Sequence, residues 1–276
     1  MPGTLYVVAT PIGNLEDVTY RAARVLAEVS LVVAEDTRRT RKLLTHLGVR
    51  RPLLSYNEHN AAQRTPRILA ALREADVALV SDAGVPLVSD PGADLVRAAA
   101  KQGTPVVAVP GASAVTAALA TAGMPAGAFH FLGFLPRTRK ARRDALAAYA
   151  DDPATLVVFE APHRLQVALG DLRHALGDRE VAVCRELTKL HEEVFRGTLS
   201  GAAAHFSEPR GEFVLVIAGG DPPKREAPDV GAARREMARL KEAGATRRDA
   251  SARVVEAYGL SRREAYRLWL EPSTAC

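Results

Sequence analysis

Short runs of consecutive aliphatic residues alternate along the first half of the chain with stretches in which apolar positions recur every three or four residues. The runs are "TLYVVAT" (4–10), "SLVVAED" (30–36), "LLSY" (53–56), "VALVSDA" (77–83) and "PVVAVP" (105–110). Because they are apolar throughout rather than alternating, they predict strands of a parallel sheet with helices on both faces. The stretches between them, "VTYRAARVLAEV" and "ADLVRAAAKQG", carry helical periodicity, the second stopping at Gly103. A second strand series follows "PGASAVTAALATAGMP": "HFLGFLP", "ATLVVFEA", "EVAVCREL", "EEVFRGTL" and "GEFVLVIAGG". Here "EEVFRGTL" follows "EVAVCREL" with no room for a helix, which predicts an antiparallel pair.

The pattern predicts an α/β protein of two domains with a small helical C-terminal domain. The N-terminal α/β domain is expected over residues 1–115 and the C-terminal α/β domain over 116–222, with the boundary in the region 112–126. The Pro- and charge-rich "DPPKREAPDVG" (221–231) reads as a linker to a helical tail, 232–276. Within that tail the sequence predicts a helix from Thr246 to Tyr258 and a stop at Gly259. A second helix opens at Ser261, with Glu264 completing a capping box. Two short helices joined by a Gly turn resemble a helix-turn-helix. Arg262, Arg263 and Arg267 fall on its exposed side, with Leu268 and Trp269 turned inward.

Composition narrows the function. With 47% hydrophobic and 25% charged residues in 276, the chain has the balance of a soluble globular protein, and no apolar run is long enough to span a bilayer. The opening "MPGTLYVVATPIGN" enters a strand pattern without a basic segment or cleavage site, which predicts a cytoplasmic protein. Two cysteines, Cys184 and Cys276, supply neither a disulfide framework nor a thiolate cage, and the seven histidines lack zinc spacing, so no metal is expected. Of the net charge of +5, residues 224–271 contribute +4, and "RTRKARR" (Arg137–Arg143) places five cations in seven residues. Each cluster alone is equally well a solvated face, whereas two on one chain point to a polyanion such as RNA.

In an open parallel sheet, ligands gather outside the carboxyl ends of the strands. Three turns of the first half leave such ends: "TPIGN", "SDAGVP" and "PGASA". Each alone reads more readily as an ordinary βα turn; together they favour one binding cleft. Gly and Pro let the backbone approach a ligand, Asp82 can accept hydrogen bonds, and Ser113 can cap the following helix. In "SDAGVPLVSDPG", Asp90 followed by Pro91 reads as the cap of the next helix, so Asp82 is weighted as functional and Asp90 as structural. No G-x-G-x-x-G follows the first strand, and no G-x-x-x-x-G-K-[ST] occurs anywhere.

The ordered set "ATPIGNLEDVTYRA", "AEDTRRTRKLL", "SYNEHN", "SDAGVPLVSDPG", "VPGASAV", "GFLPR", "FEAPHR" and "RELTKLHEE" resembles the tetrapyrrole methylase superfamily, in its branch that modifies ribosomal RNA. The resemblance covers nearly the whole chain. It implies the class III methyltransferase fold, S-adenosylmethionine as methyl donor, and 2'-O-methylation of a cytidine ribose in 16S (small-subunit) rRNA, free or within the 30S subunit, by a homodimer. By matching positions it implies cofactor contacts at Pro11, Gly13, Asp82, Val85, Ser113 and Ala114. From the second domain it adds Phe159, Leu187 and Phe213, although the two phenylalanines read equally as core. "TPIGN" and "SDAG" replace the G-x-G-P-G-D and G-D-P turns of the tetrapyrrole-specific members, which argues against a tetrapyrrole substrate.

A ribose hydroxyl is a weak nucleophile, so a base or a stabilising cation is expected beside it. Glu35, Asp36, Glu160, Glu186 and Lys189 are candidates, with Glu160 or Lys189 leading because both sit just past strands of the second domain. Arg38, His59, Asn60 and Arg164 are expected to engage the RNA, and each reads equally as a salt-bridge or loop-capping residue. Two other readings remain open: a related methyltransferase acting on a tetrapyrrole or protein side chain, and a non-catalytic, ligand-sensing nucleic-acid-binding regulator.

Overall fold

The computed structural model describes residues 3–220 and 229–271, which fall into two compact units divided at Gly220. The expected linker lies outside the described residues apart from its last three, where Asp229 caps a helix; Cys276 also lies outside them.

The first half of the larger unit runs β1 (Leu5–Val8), α1 (Tyr20–Glu28), β2 (Leu31–Ala34), α2 (Thr37–His46), β3 (Leu53–Ser55), α3 (Ala61–Leu72), β4 (Val77–Val80), α4 (Ala93–Lys101), β5 (Val106–Val109) and α5 (Ala114–Ala122). All five expected strands form, in the order β3-β2-β4-β1-β5, and every pairing is parallel. Successive strand residues bury opposite faces. Val32, Ala78 and Val80 pack with Val25 and Leu26 of α1, whereas Val33, Val77 and Leu79 pack with Ile68 of α3 and Leu95 of α4. Both faces being covered is the physical reason that these strands lack polar alternation. Register then places the site: Val8 pairs with both Val80 and Val109, so β4, β1 and β5 are neighbours that end level. The three suspected turns leave one edge side by side.

The second half runs β6 (Phe129–Phe134), α6 (Arg139–Ala147), β7 (Thr155–Glu160), α7 (Pro162–Leu176), β8 (Glu180–Arg185), β9 (Glu193–Thr198), α8 (Leu199–His205) and β10 (Phe213–Ile217). Its sheet has the order β6-β7-β10-β8-β9, with β8 and β9 antiparallel as the missing crossover required. One face is covered by Leu146 of α6, Leu165, Leu169 and Leu172 of α7, and Leu199 of α8. The other face receives α5, whose Val115, Ala118 and Leu119 meet Val157, Ala182 and Val216 together with Ile12 and Leu187. Each fully buried aliphatic side chain contributes about 1.5–3 kcal/mol, so this shared cluster is what fixes the two sheets about the space between them.

The smaller unit is three helices, α9 (Val230–Glu242), α10 (Arg247–Tyr258) and α11 (Arg262–Leu270), closed over Met237, Leu240, Val254, Leu260 and Leu268. Thr246 caps α10, Gly259 ends it at φ 67°, and Ser261 with Glu264 forms the capping box on α11. Leu268 is buried and Trp269 packs partly against the same core beneath the Lys241 ammonium, while Arg262, Arg263 and Arg267 are exposed.

Candidate functional site

A cleft of about 550 Å³ lies where the three turns face the second sheet. From the first half it is lined by Ile12, by the segment around Asp82–Val85 and Val88–Asp90, and by Ser113, Ala114 and Val115; from the second by Phe134, Phe159, Glu160, Leu187, Phe213 and Val214. Seven of the expected cofactor residues, Asp82, Val85, Ser113, Ala114, Phe159, Leu187 and Phe213, thus meet in one space. Pro11 and Gly13 flank Ile12 without lining the cleft themselves.

The turn after β4 is shaped by backbone conformations that few side chains adopt. Gly84 has φ 81°, and Leu87 and Ser89, neither of them glycine, have φ 73° and 65°. Thr10 and Gly84 exchange main-chain hydrogen bonds of 2.9 and 3.0 Å, which ties this turn to the one after β1. Positive φ at Leu and Ser costs of order 1–3 kcal/mol each and persists where surrounding structure imposes it. The consequence is that "VSD" folds back into the cleft. Asp90 therefore lines the cleft instead of capping α4, whose N-cap is Gly92 at φ 136°. The expected capping of α4 by Asp90 is therefore not observed.

Ser113 also departs from expectation. It occupies the N-cap position of α5, but its hydroxyl makes no capping hydrogen bond. The hydroxyl and the first amides of α5 are thereby left for a carboxylate or other acceptor in the cleft.

The acidic rim has the opposite character. Asp82 Oδ1 accepts the Asp36 N–H at 3.0 Å and Oδ2 lies 3.5 Å from Arg39 Nε. Burial raises the Asp90 carboxyl above the ordinary aspartate value, opposed by a hydrogen bond from Ser81 and reinforced by Asp82. Burial and the charges of Asp90 and Asp82 raise Glu35 as well. Carboxylates crowded in this way favour a cationic ligand.

The apolar wall is aromatic. Phe159 stands edge-on to Phe131 at 4.9 Å and to Phe134 at 5.7 Å between ring centroids, and Phe134 is 55% exposed. Phe213 is buried.

Glu160, at the end of β7, is 2% exposed. Its Oε1 accepts the Ala161 N–H at 2.9 Å and lies 3.4 Å from Arg164 Nε, while Oε2 is buried with no hydrogen-bond partner among the described residues. A buried carboxylate oxygen left unsatisfied costs stability and calls for a donor from outside the chain. Lys189 lies apart from the cleft lining, with Nζ 3.0 Å from Glu186 Oε1 and 2.9 Å from Glu212 Oε2. Burial works to lower its pKa, but the hydrogen bonds it donates to Glu212 and Glu186 raise it above the ordinary lysine value. It is an ammonium and not a base.

Lys189 also packs on Gly13. A Cβ there would lie 2.4 Å from Lys189 Cγ and 2.9 Å from the Leu187 carbonyl oxygen. Gly13→Val is expected to force the loop that carries Leu187 outward, costing about 1–3 kcal/mol of stability and weakening cofactor binding; thermal unfolding with and without ligand measures both.

The residues expected at RNA are divided. Arg38 and His59 line a second cavity of about 630 Å³ with Glu35, Ser55 and Asn57, and this cavity shares Asp82 and Ser89 with the cleft. Arg38 is largely exposed and paired with Asp36 at 2.7 Å; that contact pulls the Asp36 pKa down to about 2. Asn60 is absorbed in its own loop, Oδ1 accepting the Asn57 N–H at 2.9 Å and Nδ2 donating to Ser55 Oγ at 3.4 Å. Arg164 lines a third cavity with Arg137 and His163. Within "RTRKARR", Arg139, Arg142 and Arg143 converge on Asp171, so much of that cluster is internal structure.

Sequence reasoning missed Ile12, Ser89, Phe134, Cys184 and Glu212 in the cleft. Phe134 and Glu212 carried a signal, since Phe134 ends β6 and Glu212 immediately precedes β10. Cys184 carried none; it is buried, and burial raises its thiol pKa.

Among the described residues no group of three or more His, Cys, Asp or Glu could hold a metal ion, and no helix is long and apolar enough to cross a membrane.

The fold and the cleft together define a class. A sequence model of the Tetrapyrrole (Corrin/Porphyrin) Methylases matches residues 4–203. Solved structures of similar fold include the methyltransferase CobJ, with a TM-score of 0.60, 21% identity, and 79% of this chain and 94% of that one covered. The uroporphyrin-III C-methyltransferase of Thermus thermophilus, solved with S-adenosyl homocysteine, gives 0.56 and 23%, covering 78% and 97%. Among curated relatives, ribosomal RNA small subunit methyltransferase I of Synechocystis sp. is 46% identical over 273 residues, 98% of each chain. The protein of the same name from Thermotoga maritima is 49% identical over 220 residues, 79% of this chain and 99% of its own. The chain belongs to the ribosomal RNA small subunit methyltransferase I family of the tetrapyrrole methylases.

Proposed function

We propose that this chain transfers a methyl group from S-adenosylmethionine to the 2'-hydroxyl of a cytidine in 16S rRNA, that the cleft between its two sheets holds the cofactor, and that Glu160 receives the hydroxyl proton. The single observation that carries the catalytic assignment is the buried, unpartnered Oε2 of Glu160 at the cleft wall.

The residues present suit the cofactor. An apolar wall of Phe159, Leu187, Phe213 and Val214 fits an adenine ring, the rim of Asp82 and Asp90 suits its positive charges, and the uncapped start of α5 with the Ser113 hydroxyl suits its carboxylate. When bound, S-adenosylmethionine supplies an electrophilic methyl on a sulfonium. The protein's own task is to bring a ribose oxygen in line with that carbon, to exclude water, and to take the proton onto Glu160 Oε2 as the oxygen becomes a nucleophile. Phe134, half out of the cleft wall, is placed to stack on an unpaired base.

Incubation with methyl-labelled S-adenosylmethionine and unmodified small subunits tests the reading: label is expected at one cytidine ribose, and absence of label from RNA rejects it. The family relationship further supports a homodimer working in the cytoplasm, where small subunits are found; sedimentation of the full chain at about two chain masses is the expected result.

The helical unit is assigned to RNA docking. Replacing Arg262, Arg263 and Arg267 together with Glu is expected to weaken small-subunit binding by at least tenfold and to flatten its dependence on salt, with cofactor affinity unchanged. Filter binding across a KCl series measures it.

A further inference from the structure

The wall that carries Glu160 has a second side. Beyond Ala161 and His163, which line the cleft, lies a separate cavity of about 550 Å³ formed by Arg137, Arg142, Ala161, His163, Arg164 and Val167. Three arginines and a histidine line it, and among the described residues no carboxylate does.

The cavity is built rather than incidental. Arg142 is 3% exposed, anchored on Asp171, and its Nη1 donates to the carbonyls of Pro136 at 2.9 Å and Arg137 at 3.3 Å, which fixes the turn that presents Arg137. Arg164 Nη2 donates to the same turn at Leu135 and Pro136, 2.5 and 3.2 Å. The Arg137 side chain itself is exposed and has no hydrogen-bond or ion-pair partner among the described residues. Preorganised cations with a spare guanidinium recognise a tetrahedral oxyanion.

Which oxyanion follows from ribose chemistry. The 2'-hydroxyl and the 3'-phosphodiester of a nucleotide sit on adjacent ring carbons, so a site that sets a carboxylate against the 2'-oxygen meets the 3'-phosphate only a few ångströms away. Glu160 and Arg164 are joined at 3.4 Å across the partition between the two cavities. We propose that the Arg137–His163–Arg164 cavity binds the phosphodiester on the 3' side of the methylated ribose, so that one nucleotide is held by a proton acceptor at its 2'-oxygen and by cations at its 3'-phosphate. The inference rests on the proposed reaction and identifies how its acceptor is positioned.

Single-turnover methyl transfer to unmodified small subunits, measured across a KCl series, tests it with Arg137→Ala, Arg137→Lys and, as a control, Lys101→Ala, an exposed cation on α4. Arg137→Ala is expected to raise the subunit concentration for half-maximal rate about tenfold and to reduce the salt slope by about one. Cofactor affinity and unfolding temperature are expected to stay unchanged. Arg137→Lys is expected to restore the slope and part of the affinity; Lys101→Ala should match wild type. In subunits reassembled from rRNA carrying scattered phosphorothioates, sulfur at the phosphate 3' to the target is expected to impair transfer by wild type and not by Arg137→Ala.

Loss of cofactor affinity in Arg137→Ala would overturn the proposal by giving the cavity to the cofactor carboxylate. Equal behaviour of Arg137→Ala and Lys101→Ala, or interference only at other phosphates, would also overturn it while leaving the reaction standing. Failure of wild type to label RNA would instead reject the underlying reading.

Discussion

Glu160→Gln is expected to slow single-turnover methyl transfer by about 10²–10³-fold while leaving cofactor affinity within a factor of two or three, because general-base assistance contributes about 10²–10⁴. The amide keeps the shape of the side chain and its packing at the end of β7, but it can no longer accept a proton. Lys189→Ala provides the contrast. Its ammonium is held between Glu186 and Glu212 outside the cleft lining, so its removal acts on the loop carrying Leu187 and is expected to weaken cofactor binding more than it slows chemistry. Rates and affinities measured for both variants separate the roles. A Glu160→Gln enzyme with an undiminished single-turnover rate would remove the assignment.

The largest stability effect is expected at Asp171→Ala. Asp171, on α7, is 2% exposed and accepts from three arginines of α6: Arg142 Nη2 at 2.5 Å, Arg143 Nε at 2.7 Å and Arg139 Nε at 3.3 Å. Only Arg142 is buried with it, and truncating the carboxylate leaves that guanidinium buried without its counter-charge. Breaking a buried pair in this way costs about 3–5 kcal/mol, or roughly 10 °C in unfolding temperature for a unit of this size. Burial by itself raises the Asp171 pKa, but the hydrogen bonds and charges of Arg143 and Arg142 more than compensate and hold it below the ordinary value. The sign follows: a depressed folded-state pKa stabilises fully above the unfolded value of about 4. That contribution disappears as pH falls from about 4 through the lower folded value. Wild type is therefore expected to lose more stability than Asp171→Ala on acidification through this range, and the gap between their unfolding temperatures should narrow. The same network steadies the turn at Pro136 and Arg137, so the variant is also expected to bind small subunits less well.

Much of this architecture was legible because the relevant forces are local. Strands buried on both faces, such as β4, β7 and β10, announce themselves as apolar runs, whereas β6 and β9 are mixed in composition and largely half-buried or exposed. The antiparallel β8–β9 pair followed from the lack of a crossover. The capping box at Ser261 and the stop at Gly259 are short-range hydrogen-bond and φ preferences, and the structure has both. The cleft was legible in its first half because β4, β1 and β5 end level.

What could not be read depends on distant partners or on imposed strain. Nothing in "SDAGVPLVSDPG" signals positive φ at Leu87 and Ser89, since neither residue favours it; without that turn, Asp90 reads as a helix cap. Arg142 looks like one more surface cation until Asp171, 29 residues later, is brought beneath it. Ser113 has the right identity and position for a cap, yet its hydroxyl is left uncommitted in the cleft. These departures gather at the cleft and the adjoining cavity, where function rather than local propensity selects the conformation.

Whether the cofactor lies between the two sheets is tested directly by calorimetric titration of S-adenosylmethionine into wild type and Ala83→Trp. Ala83 is exposed yet lines the cleft, so an indole there fills the space without entering the core. One molecule bound per wild-type chain, with binding lost in Ala83→Trp at an unchanged unfolding temperature, is the predicted result. Undiminished binding by a well-folded Ala83→Trp protein would contradict the account.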